Sequence, residues 1–306
     1  MMPKSVCRWI ALLSLCLLGS FGFFGCGNEK IAASSSKEQA VTEAPAPNGP
    51  RIVATSMATV YIMEKLDVDL VGVPHSEVDK LPKRYQKVPE IGSPMNPDQE
   101  KLAMLRPEWI FSPASLASDL LPTYEKLHLN YGFINLSNIP GMYKSIEDLG
   151  NLLQRREQAK QLVNEYEQFM KNYKEKHPNG SKKKVLILMG LPGSYVVATE
   201  HSYAGSLVKL AGAENVYADE KKPFINVNVE DMLKKDPDII LRTSHALPDD
   251  VQKMFAKEFA ENPNWKHFRA VKQKKVYDLN HDRFGMSAKF NYPEALADLE
   301  DILYVS

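Results

Sequence analysis

Two residues in this chain, Met95 and His245, pair a metal-ligating side chain with a loop position from which it could act. Met95 is held between Pro94 and Pro97 in IGSPMNPDQEKL (91–102), outside any helical apolar stripe. His245 stands in LRTSHALPDD (241–250). Each loop follows a strand-like run and leads into a helix-like one. Pro97 suits the first helical turn of one. In the other, Pro248 is followed by Asp249 and Asp250, which complement the positive end of a helix. In open parallel sheets, ligands sit outside the carboxyl ends of the strands, and both loops belong there. Each residue also has a plainer account, packing for a loop methionine and solvent exposure for a loop histidine.

The elements that must position these loops form two similar segments around a polar stretch from Tyr143 to His177. Its apolar residues (Ile146, Leu149, Leu153, then Ala159, Leu162, Val163, Tyr166, Phe169, Met170, Tyr173) recur near the helical period. Gln154-Arg155-Arg156 breaks the stripe. A short helix should end there, and a long one should run from about Arg156 to Lys176, on the order of 30 Å. Pro140-Gly141 and Pro178-Asn179-Gly180 punctuate the two ends. Before this stretch, strands over 51–54, 70–73, 88–91, 109–112 and 131–136 alternate with helices ending near 65, 105 and 127. After it, strands over 184–189, 194–199, 239–242 and 275–279 alternate with helices over 203–211, 229–235, 248–259 and 292–303. Such alternation predicts an α/β chain of two Rossmann-like lobes (51–142 and 178–306) with mostly parallel sheets, joined by one long helical segment (143–177). A surface helix of a single large α/β domain is the other arrangement the pattern allows.

Composition sets the frame. A chain of 306 residues, 44% hydrophobic and 25% charged, suits two ordinary soluble domains. Lys plus Arg and Asp plus Glu both number 38, so no overall field points to nucleic acid. Lys4 and Arg8 precede an apolar run from Trp9 to Phe24, which reads as an export signal. The run ends at Gly25-Cys26 and resembles the bacterial lipoprotein signal, in which that Cys becomes the lipid-modified N-terminus. Phe23 and Phe24 stand where Leu and a small residue are usual. Residues 27–50 are rich in Ala, Ser, Glu and Pro and read as a disordered tether. Cys7, Cys16 and Cys26 are the only cysteines, so the globular part can hold neither a disulfide framework nor a cysteine metal site.

Enzyme signatures are absent: no Gly-rich phosphate loop, no paired-His zinc helix, no serine elbow. The seven His (His75, His128, His177, His201, His245, His267, His281) are scattered. A three-His zinc site assembled across loops stays open on sequence alone.

Several long motifs carry a resemblance: RIVATSMATVYIMEKLDVDLVGVP, LPKRYQKVPEIGSPMNPDQEKL, MGLPGSYVVATEHSYAGSLVKLAGAENVY, TSHALPDDVQKMF and VYDLNHDRFGMSAKFNYPEAL. Through them the chain resembles the substrate-binding proteins of siderophore, haem and cobalamin ABC importers, from Arg51 to the C-terminus. Within that cluster it looks like the haem-binding lipoproteins of Gram-positive iron-regulated surface determinant (Isd) systems. The resemblance implies a class III periplasmic-binding-protein-like fold and no enzymatic activity. It implies haem b as the transported ligand, with Met95 and His245 as axial ligands. It further implies a monomer on the outer face of the cell membrane, held by a lipid on Cys26. Such a protein takes haem from cell-wall donor proteins and passes it to a permease and its ATPase. Glu100 and Glu230 match the acidic residue that each lobe offers to the permease. Haem is a flat apolar plate with two carboxylates. The helix start at Ser56, Met57, Ala58 and Thr59 is a candidate propionate contact through its free N–H groups. Phe224, Phe284 and Met286 are candidate cleft residues, and core packing explains each of them as well. A siderophore receptor would need Arg or Tyr concentrated in these loops, and none is seen there. A haem-degrading enzyme would need an open iron face, which two axial ligands deny.

Overall fold

Ile52–Ala54 forms β1, and the chain turns at once into α1 (Met57–Lys65), because Ser56 caps it by accepting the Thr59 N–H on its hydroxyl. A two-strand hairpin follows, β2 (Gly92–Ser93) and β3 (Asn96–Pro97), and then α2 (Gln99–Leu105). Asp98 caps α2 by accepting the Glu100 and Lys101 N–H groups. β4 (Trp109–Pro113), α3 (Ala117–Lys126) and β5 (Tyr131–Ile134) complete the first segment. α4 (Ile139–Leu152) and α5 (Arg156–Lys176) lead to the second segment. There the order is β6 (Lys184–Leu191), β7 (Ser194–Ala198), α6 (Tyr203–Leu210), β8 (Glu214–Asn215), β9 (Phe224–Ile225) and α7 (Val229–Lys234). β10 (Ile239–Ser244), α8 (Pro248–Glu261), α9 (Arg269–Lys272), β11 (Val276–Asp278) and α10 (Tyr292–Glu300) follow, with a π-helical turn over Asp301–Val305. This computed structural model describes residues 49–77 and 79–305. The export signal, Cys26 and the tether to residue 48 lie outside the described residues.

Two open sheets carry the site. In the first, β1, β4 and β5 are parallel neighbours in that order. The strands expected over 70–73 and 88–91 shrink to single parallel bridges, Val53 with Gly72 and Val73 with Glu90. Backbone bonds such as Ala54 N–H to Gly72 O (3.1 Å) and Ile91 N–H to Val73 O (2.8 Å) nonetheless hold them in line beside β1. The second sheet runs β11-β10-β6-β7-β9, with β8 also beside β6. β6, β8, β10 and β11 are parallel, whereas β7 is antiparallel to both β6 and β9. The sheet is largely parallel, as expected, with β7 the antiparallel exception, linked to β6 by the tight turn Pro192-Gly193.

α5 has 21 residues, about 30 Å of helix. It buries Ala159, Leu162, Met170 and Tyr173 and leaves its other faces in water. The Tyr166 ring stacks on Tyr143 of α4 at 4.3 Å and meets Tyr292 of α10 edge-on at 6.0 Å. α4 starts earlier than its punctuation suggests. Pro140 and Gly141 lie inside its first turn, where a missing N–H costs nothing, and Asn138 caps it. One continuous core runs from Ile52 through α4 and α5 to Leu303. Polar contacts also tie the segments. Lys289 Nζ donates to both Asp79 carboxylate oxygens (3.0 and 3.2 Å), and the Ala288 N–H donates to Leu136 O at 2.8 Å. No helix among the described residues is long and apolar enough to cross a membrane.

Candidate functional site

Met95 sits at the tip of the β2–β3 hairpin. Gly92 pairs with Pro97 and Ser93 with Asn96, so Pro94 and Met95 are the two turn residues. Proline is favoured at the first of these because its φ is already set. Gly92 has φ +91°, open to glycine, and the Asp98 N–H closes the hairpin onto Ile91 O at 2.7 Å. The result is a short stiff loop with Met95 65% exposed at its end. Pro97 is not in the helix, as its spacing suggested. It belongs to β3 and precedes the capping Asp98.

His245 follows the last residue of β10, and its N–H donates to Gly190 O at 3.0 Å, extending the β6–β10 ladder by one step. Its imidazole makes no hydrogen bond or ion pair with the described residues. The residue is exposed, yet the protein crowding it pushes its pKa below the ordinary value. The neutral ring, the form that can bond a metal, is therefore favoured. Both Met95 and His245 stand beyond the carboxyl ends of their sheets, as the sequence predicts.

Leu247 was not singled out by sequence. It is 55% exposed two residues after His245, at φ +46°, ψ 61°, a left-handed conformation rare for leucine. A large apolar side chain is thus held in water at the start of α8. Nothing in the local sequence announces this, because leucine in a loop ordinarily packs inward.

The remaining candidates divide. Ser56 is engaged: its Oγ accepts the Thr59 N–H at 3.2 Å and lies 2.9 Å from Thr59 Oγ1. Only the Met57 and Ala58 N–H groups at the helix start are left for an outside acceptor. The side chains of Met57, Ala58 and Thr59 are buried. Phe284 is fully buried in the core, and its carbonyl accepts the Thr243 hydroxyl (2.9 Å), so its ring packs the interior. Phe224 is half-buried on β9. Met286 is 39% exposed, two residues before the Ala288 N–H that reaches the first segment. Glu100 and Glu230 are exposed in the first turns of α2 and α7. His201 is exposed, whereas Tyr203 is buried.

Beside the His245 loop, Arg242–Ser244, the first turns of α8 and Asp278–His281 line a pocket of about 240 Å³. Neither Met95 nor His245 lines it, and it is smaller than the roughly 300 Å³ at which small-molecule sites begin. Among the described residues, no group of three His, Cys, Asp or Glu side chains is placed to hold a metal ion. What these ends offer is two soft-to-borderline donors on separate loops, with Leu247 exposed two residues after one of them. That suits a flat apolar ligand bringing most of its own metal coordination.

Comparison with known proteins narrows this. The family model for periplasmic binding proteins matches residues 52–282. The "High-affinity heme uptake system protein IsdE" of Staphylococcus aureus (strain Newman) is 44% identical over 260 residues, 83% of this chain and 87% of that protein. The crystal structure of S. aureus IsdE complexed with heme superposes with a TM-score of 0.79 at 42% identity, covering 83% of this chain and 99% of that one. An ABC transporter substrate-binding protein from Listeria monocytogenes gives 0.80 at 46% identity, covering 84% of this chain and all of its counterpart.

Proposed function

The chain belongs to the periplasmic binding protein family, and from that premise we propose that it binds haem and hands it to an ABC permease for iron acquisition. It is a binding protein and not an enzyme, as its relatives are. The observation that carries the reading is the placement of Met95 and His245 on two unlike loops, each beyond the carboxyl ends of its own sheet and open to solvent. Likeness to a relative whose structure holds heme supports the ligand.

In this reading the lobes are 51–142 and 178–306, the segment 143–177 joins them, and haem lies between them. The Met95 sulfur and a His245 ring nitrogen fill the two axial positions of the iron. A thioether and an imidazole favour the reduced iron relative to two nitrogen ligands. Leu247 and Met286 cover part of the porphyrin, Phe224 borders the cleft, and the Met57 and Ala58 N–H groups face a propionate. Most of the affinity comes from burying the apolar faces, at roughly 25 cal/mol per Å² removed from water. Glu100 and Glu230 meet the permease, and Cys26 carries the lipid that holds the protein on the outer face of the membrane. Cell-wall proteins supply the haem to a monomer.

A titration of the purified chain tests this. Haem should saturate one site with a sharp low-spin spectrum, and ferric siderophores should bind at least a hundredfold more weakly, about 3 kcal/mol. Tighter binding of a siderophore would replace this reading with that of a siderophore receptor.

A further inference from the structure

Overall neutrality hides a segregation of charge. β6, β10 and β11 are parallel neighbours, so their starts lie together at the edge of the sheet opposite His245. Lys182, Lys183 and Lys184 precede or open β6, Lys234 and Lys235 end α7 just before β10, and Lys272, Lys274 and Lys275 lead into β11. The register sets these starts side by side: Asp238 N–H donates to Lys184 O (2.8 Å), and Ile240 N–H donates to Lys275 O (3.0 Å). Three adjacent strands span about 10 Å, comparable to the Debye length at physiological salt, so the charges act as one field.

Nearby acids cancel part of it, Lys183 acting through space on Asp238. None of the eight lysines forms an ion pair with a described residue; Lys235 Nζ lies 5.0 Å over the Tyr217 ring. The adjacent carboxylates Asp236 and Asp238 are held by Arg269 at 3.0 and 2.6 Å. Glu214, opposite Lys184 in the β6–β8 register, and Asp231, which accepts the Tyr217 hydroxyl at 2.9 Å beside Lys235, are further acids here. Lys234 and Lys272 lie in the last turns of α7 and α9, where a cation is favoured anyway. Lys182, Lys183 and Lys184 have no helix end to serve.

We propose that this edge of the second sheet is a binding surface for a phosphate-bearing polyanion outside the membrane. Lysines supply mobile point charges, suited to a flexible chain of phosphates more than to one fixed anion. The lysines lie at the opposite end of the strands from His245. A flexible polymer can follow them from Lys182 to Lys275, and Lys234 lies one turn along α7 from Glu230, the acid given to the permease. The permease contact belongs to the haem-delivery reading; the charge itself does not rest on it.

The probe is long-chain inorganic polyphosphate, titrated into the full chain over a range of salt. Wild type should bind, with affinity falling steeply as salt rises. K234Q/K272Q/K274Q should weaken binding about tenfold and lower the slope of log K against log salt by about two to three. K160Q/K171Q/K174Q removes the same charge from exposed positions on α5 and should stay within about twofold of wild type. Haem titration of both triple variants reports folding and should be unchanged. Equal losses in the two variants, no binding by wild type, or binding to anionic phospholipid vesicles without binding to polyphosphate would overturn the proposal. Polyphosphate binding that persists in a chain failing to bind haem would sink the functional reading while leaving this surface standing.

Discussion

The His245 N–H donates to Gly190 O at 3.0 Å, so the turn after β10 is anchored on the penultimate residue of β6. α8, which follows that turn, presses on the same point. A Cβ on Gly190 would lie 2.2 Å from Val251 Cγ1 and 2.8 Å from Phe255, closer than side chains approach. Glycine there lets α8 lie against β6 and fixes the point from which His245 projects.

Gly190→Ala should therefore destabilise the fold by about 1–3 kcal/mol through overpacking. It should also weaken haem binding beyond what partial unfolding explains, because α8 and the His245 turn shift together. Thermal melts with and without haem check this. An unchanged melting temperature would show that α8 relaxes freely and does not register the loop.

Leu247 separates stability from binding. Asparagine tolerates its left-handed backbone better than leucine does, and the leucine side chain is mostly in water. Leu247→Asn should leave stability unchanged or raise it by a few tenths of a kcal/mol. Haem affinity should nevertheless fall about tenfold as apolar contact is lost, roughly 1.5 kcal/mol. Undiminished affinity would remove Leu247 from the cleft.

How much of this was legible in the sequence follows from the length of each signal. α5 announces itself through a long apolar run near the helical period and α8 through Pro248, whereas Pro97, expected in the first turn of α2, lies in β3 just before it. β8 and β9 are two residues each, too short to show a period, and the antiparallel turn into β7 looks like any strand–loop–strand. Met95 and His245 could be placed because strand–loop–helix order puts them at carboxyl ends. Phe284 could not be sorted. Its burial is a tertiary matter, seen in the core around it and in the Thr243 hydroxyl on its carbonyl. The basic edge escaped notice because net charge averages over the chain, whereas strand register gathers lysines that lie up to 93 positions apart in sequence, as Lys182 and Lys275 do.

The pH dependence of coordination has a definite sign. Crowding by protein lowers the His245 pKa from its ordinary 6.5. The native state thus holds fewer protons at this ring than the unfolded chain does, and the ring stays neutral until pH falls through the lowered value. Imidazole ligation should be lost as pH falls through that lowered value, with its midpoint below 6.5. Any stability this ring withholds is likewise felt only on the acid side. A spectral transition centred at or above 6.5 would contradict this.

Docking should separate from binding. Glu100 and Glu230 are exposed at helix starts and carry no packing role. Reversing both to Lys should cost each helix a few tenths of a kcal/mol, leave the haem spectrum unchanged and abolish haem-dependent growth. Wild-type growth of the double variant would exclude these acids from the permease contact.

The most direct test of the account is the spectrum of haem bound to the Met95→Ala and His245→Ala chains, in both oxidation states. Each variant should still bind haem, because apolar burial supplies most of the affinity, but each should lose the six-coordinate low-spin form. His245→Ala should move towards five-coordinate or water-ligated iron, and Met95→Ala should show its larger effect in the ferrous state. Wild-type spectra from both variants in both states would mean that the iron is held elsewhere, with exposed His201 the next residue to replace.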